Sequence, residues 1–175
     1  MPTDKIQHET SIGVFEFSIT SDQPLAECDL VISNPEISLP DGMSVENCVA
    51  VLVRAKTGTA IRGLIWKSTC LEQISGMPSS GEGLEANEWE AKGRLVVVGT
   101  EDEDYLAARL PFVELMPDKS LCQLSGQGIQ VSLPYVPSQT SISLHFVVAE
   151  NPAPEPAECS CWYAVDYPHA ALFDG

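Results

Sequence analysis

The order of hydrophobic and polar positions along the chain follows a period of two far more often than the helical period of 3.6. Between Ile12 and Ile19, the set Gly13, Phe15, Phe17 and Ile19 alternates with Ile12, Val14, Glu16 and Ser18, as expected of a strand with one well-buried face. Similar runs, rich in β-branched and aromatic residues and bounded by Pro, Gly, Asn or Asp, occupy 37–39, 48–55, 60–66, 94–99, 129–133, 141–148 and 159–165. Lys56 to Thr59 reads as a tight hairpin between two of them, and Ser125 to Gly128 as another. Short strands separated by turn signals predict a mainly β fold: an antiparallel β-sandwich, or a partly open barrel, of about seven to nine strands.

Residues 75–92, SGMPSSGEGLEANEWEAK, interrupt the alternation. They begin as a Gly/Pro/Ser loop and continue as an expected two-turn helix, Leu84 to Lys92, which makes this segment an insertion between strands. Glu103 to Leu110 reads as a second helix or as a strand. Residues 151–156 form a stiff Pro-rich connection. No internal repeat is visible, and 175 residues suit a single β domain spanning 1–175.

Charge narrows the function classes. Against 25 Asp and Glu stand 9 Lys and Arg, a formal net charge of -16, which opposes contact with phosphate backbones and anionic membranes. The apolar runs are strand-sized, far below the roughly 20 residues of a membrane span. The first thirteen residues hold no apolar leader, so a soluble, cytoplasmic protein is expected. In that compartment the six Cys (28, 48, 70, 122, 159 and 161) are expected as reduced thiols. Cys159 and Cys161 would share one strand face, and no zinc-type CxxC spacing occurs, so no metal or cofactor is expected.

The charges are unevenly placed. Eight acids fall between Glu82 and Asp104, whereas four of the nine basic residues, Arg54, Lys56, Arg62 and Lys67, fall in the hairpin expected around 56–59. Glu85, Glu88, Trp89, Glu101, Asp102, Glu103 and Asp104 therefore form the expected partner-binding set, an aromatic anchor ringed by carboxylates. A solvated acidic loop is the plainer account of 101–104, and calcium ligation a third, although the EF-hand spacing is absent.

Catalytic chemistry leaves little trace. The three histidines, His8, His145 and His169, carry no recognisable spacing, and His145 alternates with core positions as a partly exposed strand residue would. No G-x-S-x-G elbow occurs, and Cys70 has no sequence-adjacent base. Gly81 to Ala86 fits G-x-G-x-x-A but follows a loop rather than a strand. Trp162 to Tyr167 is the densest aromatic cluster, read as core packing on a strand or as a sugar- or partner-binding patch.

The second half has a recognisable layout: Leu110-Pro-Phe-Val113, a strand and Gly turn, Val131-Ser-Leu-Pro134, the strand Ile142 to Val147, a polar loop, and an ending Tyr163-Ala-Val-Asp166. Over about 70 residues this resembles the small competence protein J family of bacterial nuclease inhibitors. The resemblance implies an acidic, mostly β protein that inhibits a basic DNA-degrading nuclease of the same cell, and it transfers no individual inhibitory residue. Charge and the missing catalytic constellation lead independently to a non-enzymatic inhibitor or immunity-type protein that neutralises a basic protein, a nuclease or toxin. Two other readings are a C2-like or lectin-like sandwich binding calcium or a small ligand through its loops, and an assembly subunit using an exposed strand edge, for instance as a homodimer.

Overall fold

The computed structural model describes residues 1–155 and 159–173. Alternation does what it predicts for most of the chain, building two antiparallel sheets that pack face to face. The first sheet has the order β1-β2-β5-β10-β9, with β1 (Thr3–Thr10), β2 (Gly13–Thr20), β5 (Leu64–Cys70), β9 (Cys122–Ser125) and β10 (Gly128–Leu133). The second has the order β3-β4-β11-β8-β7-β6, with β3 (Leu25–Ser33), β4 (Asn47–Thr57), β6 (Met77–Pro78), β7 (Leu84–Ala91), β8 (Arg94–Glu101) and β11 (Ser141–Pro152). The fold is thus the expected sandwich, with eleven strands among the described residues rather than seven to nine, and its sheets do not close into a barrel.

Inward positions fill the space between the sheets. Phe15, Phe17 and Trp66 from the first meet Val51, Val98 and Phe146 from the second, and the Trp66 ring stacks on Phe146 at 5.1 Å between centroids. The second sheet is buried on its other face too. There Ala50, Leu52, Val97, Val147 and Ala149 lie beneath α2 (Ser160–Val165) and the irregular segment carrying Ile37, Leu39 and Val45. Gly99 makes this third layer possible, because a Cβ there would lie 2.8 Å from Val165 and 2.9 Å from Leu84.

Several sequence expectations are corrected. Residues 84–91 form strand β7, not a helix: Lys92 (φ 55) and Gly93 (φ 69) supply the two positive φ angles of a tight hairpin turn, and β7 pairs with β8 along its whole length. The 75–92 segment is therefore part of the sheet, contributing both β7 and the two-residue β6 that pairs with it. Residues 160–165 form helix α2, not a strand, so Cys159 and Cys161 sit at a helix start. Residues 37–39 are irregular. Lys56 to Thr59 joins no hairpin, since β4 and β5 belong to different sheets and the chain crosses between them here. The Ser125 to Gly128 hairpin is present, and Glu103–Arg109 forms helix α1. Within the Pro-rich connection, Asn151 and Pro152 end β11, and Pro156 lies outside the described residues. Among the described residues, no helix is long and apolar enough to cross a membrane.

Candidate functional site

The acidic residues are partly gathered and partly scattered. Strand β8 ends at Glu101, and Asp102 then caps α1: one carboxylate oxygen accepts the Tyr105 N–H at 3.0 Å and the other the Gly83 N–H at 3.0 Å. Glu103 accepts from the Leu121 N–H at 2.9 Å and the Ser120 hydroxyl at 2.8 Å, and Glu85 accepts from the Ser80 hydroxyl at 2.6 Å. Burial, followed by the nearby charges of Glu85, Glu103, Asp102 and Glu101, pushes the Cys122 thiol up to about 12. These four carboxylates thus share one end of the sandwich, joined by exposed Asp104. The side chains of 101–103 turn to different partners instead of converging as a calcium loop would.

Trp89 and Glu88 stand apart from that group. Trp89 is 1% exposed and packs edge-on against Phe15 at 5.0 Å, with its indole N–H donating to the Gly126 carbonyl at 3.2 Å. It is a core residue and no surface anchor. Glu88 alternates with Trp89 and so lies on the opposite face of β7. The aromatic ring among the acids is instead Tyr105, 58% exposed and held against Gly83, where a Cβ would come within 2.0 Å of the ring.

A second constellation joins residues that no local spacing connects. On the outer face of the second sheet, β8 places Glu101 and β11 places Ser143 and His145, each by the alternation that points Val97, Gly99, Val147 and Ala149 outward. Helix α3 (His169–Phe173) lays His169 over them. The two Nδ1 atoms of His145 and His169 are 2.9 Å apart, His169 Nε2 lies 3.0 Å from Ser143 Oγ, and His169 Nδ1 lies 3.5 Å from Glu101 Oε2. Arg109 grips Glu101 with two bonds, Nη2 to Oε2 at 2.6 Å and Nε to Oε1 at 3.1 Å. His145 is 1% exposed and Glu101 9%. Burial holds the His145 imidazole down at about 3, with His169 and Arg109 adding to the effect, and burial with Arg109 holds His169 at about 4. Both rings are neutral at neutral pH. A cleft of about 550 Å³ opens beside them, lined by Tyr105, Arg109, Tyr167 and His169 among others.

His145 is therefore a fully buried residue and not the partly exposed one its alternation suggested. What hid it is the covering layer: α3 follows β11 by some distance in sequence, and no pattern within Ser143 to Val147 announces it. The available signal was a Glu and a His at outward positions of otherwise apolar strands.

The remaining candidates do not assemble into a reactive site. All six cysteines are free, and burial raises the thiols of Cys28, Cys48, Cys70, Cys159 and Cys161, which opposes nucleophilic use of Cys70. His8 lies in β1, outside the cluster. Trp162 donates to the Ser79 carbonyl at 2.6 Å and covers Gly81, so the G-x-G-x-x-A stretch lies under an indole. The expected basic ribbon is divided: Arg54 and Lys56 lie on β4, Lys67 on β5, and the Arg62 N–H donates to the Asp22 carboxylate. No family model, no curated protein and no solved structure matches the chain.

Proposed function

We propose that the protein is a non-enzymatic binding protein that neutralises a basic partner, a nuclease or toxin, by docking it on the acidic end of the sandwich. The observation that supports this most is the setting of Tyr105. Its exposed ring lies against Gly83, the chain neighbour of Glu82, and Asp102, Glu103 and Asp104 directly precede it in the chain; among the described residues none of these four carboxylates has a Lys or Arg partner. An aromatic anchor with a carboxylate rim suits a cationic surface built to hold phosphates, and the surplus charge steers such a partner toward it. The resemblance to the competence protein J family implies the same class of partner.

The docking set proposed from the structure is Glu82, Glu103, Asp104 and Tyr105. Trp89 is replaced because it is core, and Glu101 and Asp102 are set aside because they hold Arg109 and cap α1. With a cationic nuclease as the titrated probe, Tyr105→Ala is expected to weaken binding about tenfold or more while leaving the melting temperature unchanged. The pair Glu82→Lys and Asp104→Lys is expected to slow association and flatten its salt dependence. Trp89→Ala is expected to cost about 3–5 kcal/mol of stability through the cavity it leaves. Unchanged affinity in both the Tyr105 variant and the charge-reversed pair would remove this surface from the binding reaction.

A further inference from the structure

Glu101, His145 and His169 come from β8, β11 and α3, yet they place one ligand-type atom each within 4.8 Å of one another. Two of the three spacings are close to those around a shared cation, and the third, between Glu101 and His145, lies within the 4.8 Å that bounds the group. Donors bound at about 2.0–2.1 Å around a tetrahedral ion stand roughly 3.3 Å apart, and here the two imidazole Nδ1 atoms are 2.9 Å apart while Glu101 Oε2 is 3.5 Å from His169 Nδ1. One tautomer of His169 also leaves acceptors facing one another. If His169 gives its Nε2 proton to Ser143 Oγ, its Nδ1 presents a lone pair to both His145 and the Glu101 carboxylate. One proton on His145 Nδ1 can bridge the two rings, but it leaves the carboxylate oxygen facing the electron-rich side of His169.

We infer that Glu101, His145 and His169 bind one divalent transition-metal cation of the zinc class, through Glu101 Oε2 and the two Nδ1 atoms. The donor set, two imidazoles and one carboxylate, is of the kind that holds such cations while leaving a position for a further ligand. One contact orients a ligating ring and another holds the backbone beside it. Ser143 fixes the His169 ring, and the Thr100 hydroxyl donates to the His145 backbone carbonyl at 2.6 Å. Arg109 fixes Glu101, whose two oxygens offer about four lone-pair directions and so can accept the guanidinium and still face the ion. Arg109 also brings a positive charge close to the ion. That repulsion lowers the affinity and favours an anionic oxygen at the remaining position, on the side of the cleft that Glu101 and His169 line. Because α3 contributes His169 and the sheet contributes the other two donors, the ion pins the end of the chain to the sandwich.

The 175-residue chain, stripped with a chelator, is titrated with Zn²⁺ and separately with Co²⁺. The expected result is one ion per chain, a rise in melting temperature with metal concentration, and cobalt d–d absorption without thiolate-to-metal charge transfer. His169→Ala should weaken binding more than about a hundredfold, and Ser143→Ala about ten- to a hundredfold. The double variant Cys159→Ser, Cys161→Ser should bind as the parent does. His169 lies on a five-residue helix, so its variant is the decisive one if His145→Ala does not fold. Absence of binding to the parent, undiminished binding by His169→Ala, or a charge-transfer band that disappears with the two cysteines would each overturn the assignment. A purely proton-bridged histidine pair gives the first of these results.

Discussion

Glu150 shows how one residue can bind the two sheets together. It lies near the end of β11 and accepts from the Ser11 N–H at 2.9 Å, the Ser11 hydroxyl at 2.5 Å and Asn47 Nδ2 at 3.0 Å, so the β1–β2 turn of one sheet hangs on a strand of the other. Burial alone would raise the Glu150 carboxyl. The bonds from Ser11 and Asn47, with the charge of Arg94, overcome that and hold it below its ordinary value of 4.5. A carboxyl depressed in the folded state contributes stability that is fully present above the unfolded value and is lost as pH falls through the folded one. Glu150→Ala is expected to cost about 1–3 kcal/mol at neutral pH, measured by urea unfolding. The gap between parent and variant should narrow as pH drops below roughly 4.5. A gap independent of pH would mean that the contact acts through shape and not through ionisation.

At the scale of elements, the outer layer tests whether the C-terminal segment belongs to the fold. Ending the chain after Glu155 removes α2 and α3 and uncovers Leu52, Leu84, Val97 and Val147 on the second sheet. Such a patch is expected to bind a hydrophobic dye and to drive association, read by fluorescence and sedimentation; a monomeric, equally stable truncation would make the layer an accessory. The sequence was legible where a strand lies between two neighbours and its alternation is complete, as in Ile12–Ile19 and Ser141–Val148. It was less so at edges. β1 (TDKIQHET) sits at the edge of its sheet with Ile6 as its single strongly apolar residue, so no periodic signal marked it. In β7 the helix-favouring run LEANEWEA was overruled by pairing through the Lys92-Gly93 turn, and in α2 the aromatic SCWYAV was overruled by docking on Gly99 and Val97. The acid group was half legible, because 101–104 is contiguous; the histidine cluster was not, because its parts are 44 and 24 residues apart (145 − 101 and 169 − 145) and only the third layer brings them together.

For the whole molecule, the surplus charge is not evenly spread. The open face of the first sheet carries Lys5 and Lys67 against Glu9 and Glu16, among Gln7, Ser18, Thr69, Gln130 and Ser132, and is close to balance. The net charge of -16 therefore resides mainly at the strand ends and around the second sheet, where carboxylates repel one another. Two effects of salt then oppose each other within the fold. Screening weakens ion pairs such as Lys5–Glu16 and Lys56–Glu27, but these are largely exposed and worth about 0–1 kcal/mol each. It also relieves the repulsion among the unpaired acids, over a range that shrinks to about 8 Å at physiological ionic strength. With so few cations available to pair, relief dominates, so added sodium chloride should raise the melting temperature over the first few tenths molar. The same screening removes the attraction between the acidic end and a cationic partner, so stability and partner affinity should move in opposite directions along one salt series. Calorimetry and binding measured on the same samples check both. A melting temperature that falls with salt would mean that the ion pairs outweigh the repulsion, and a partner affinity indifferent to salt would mean that the carboxylates around Tyr105 do not face it.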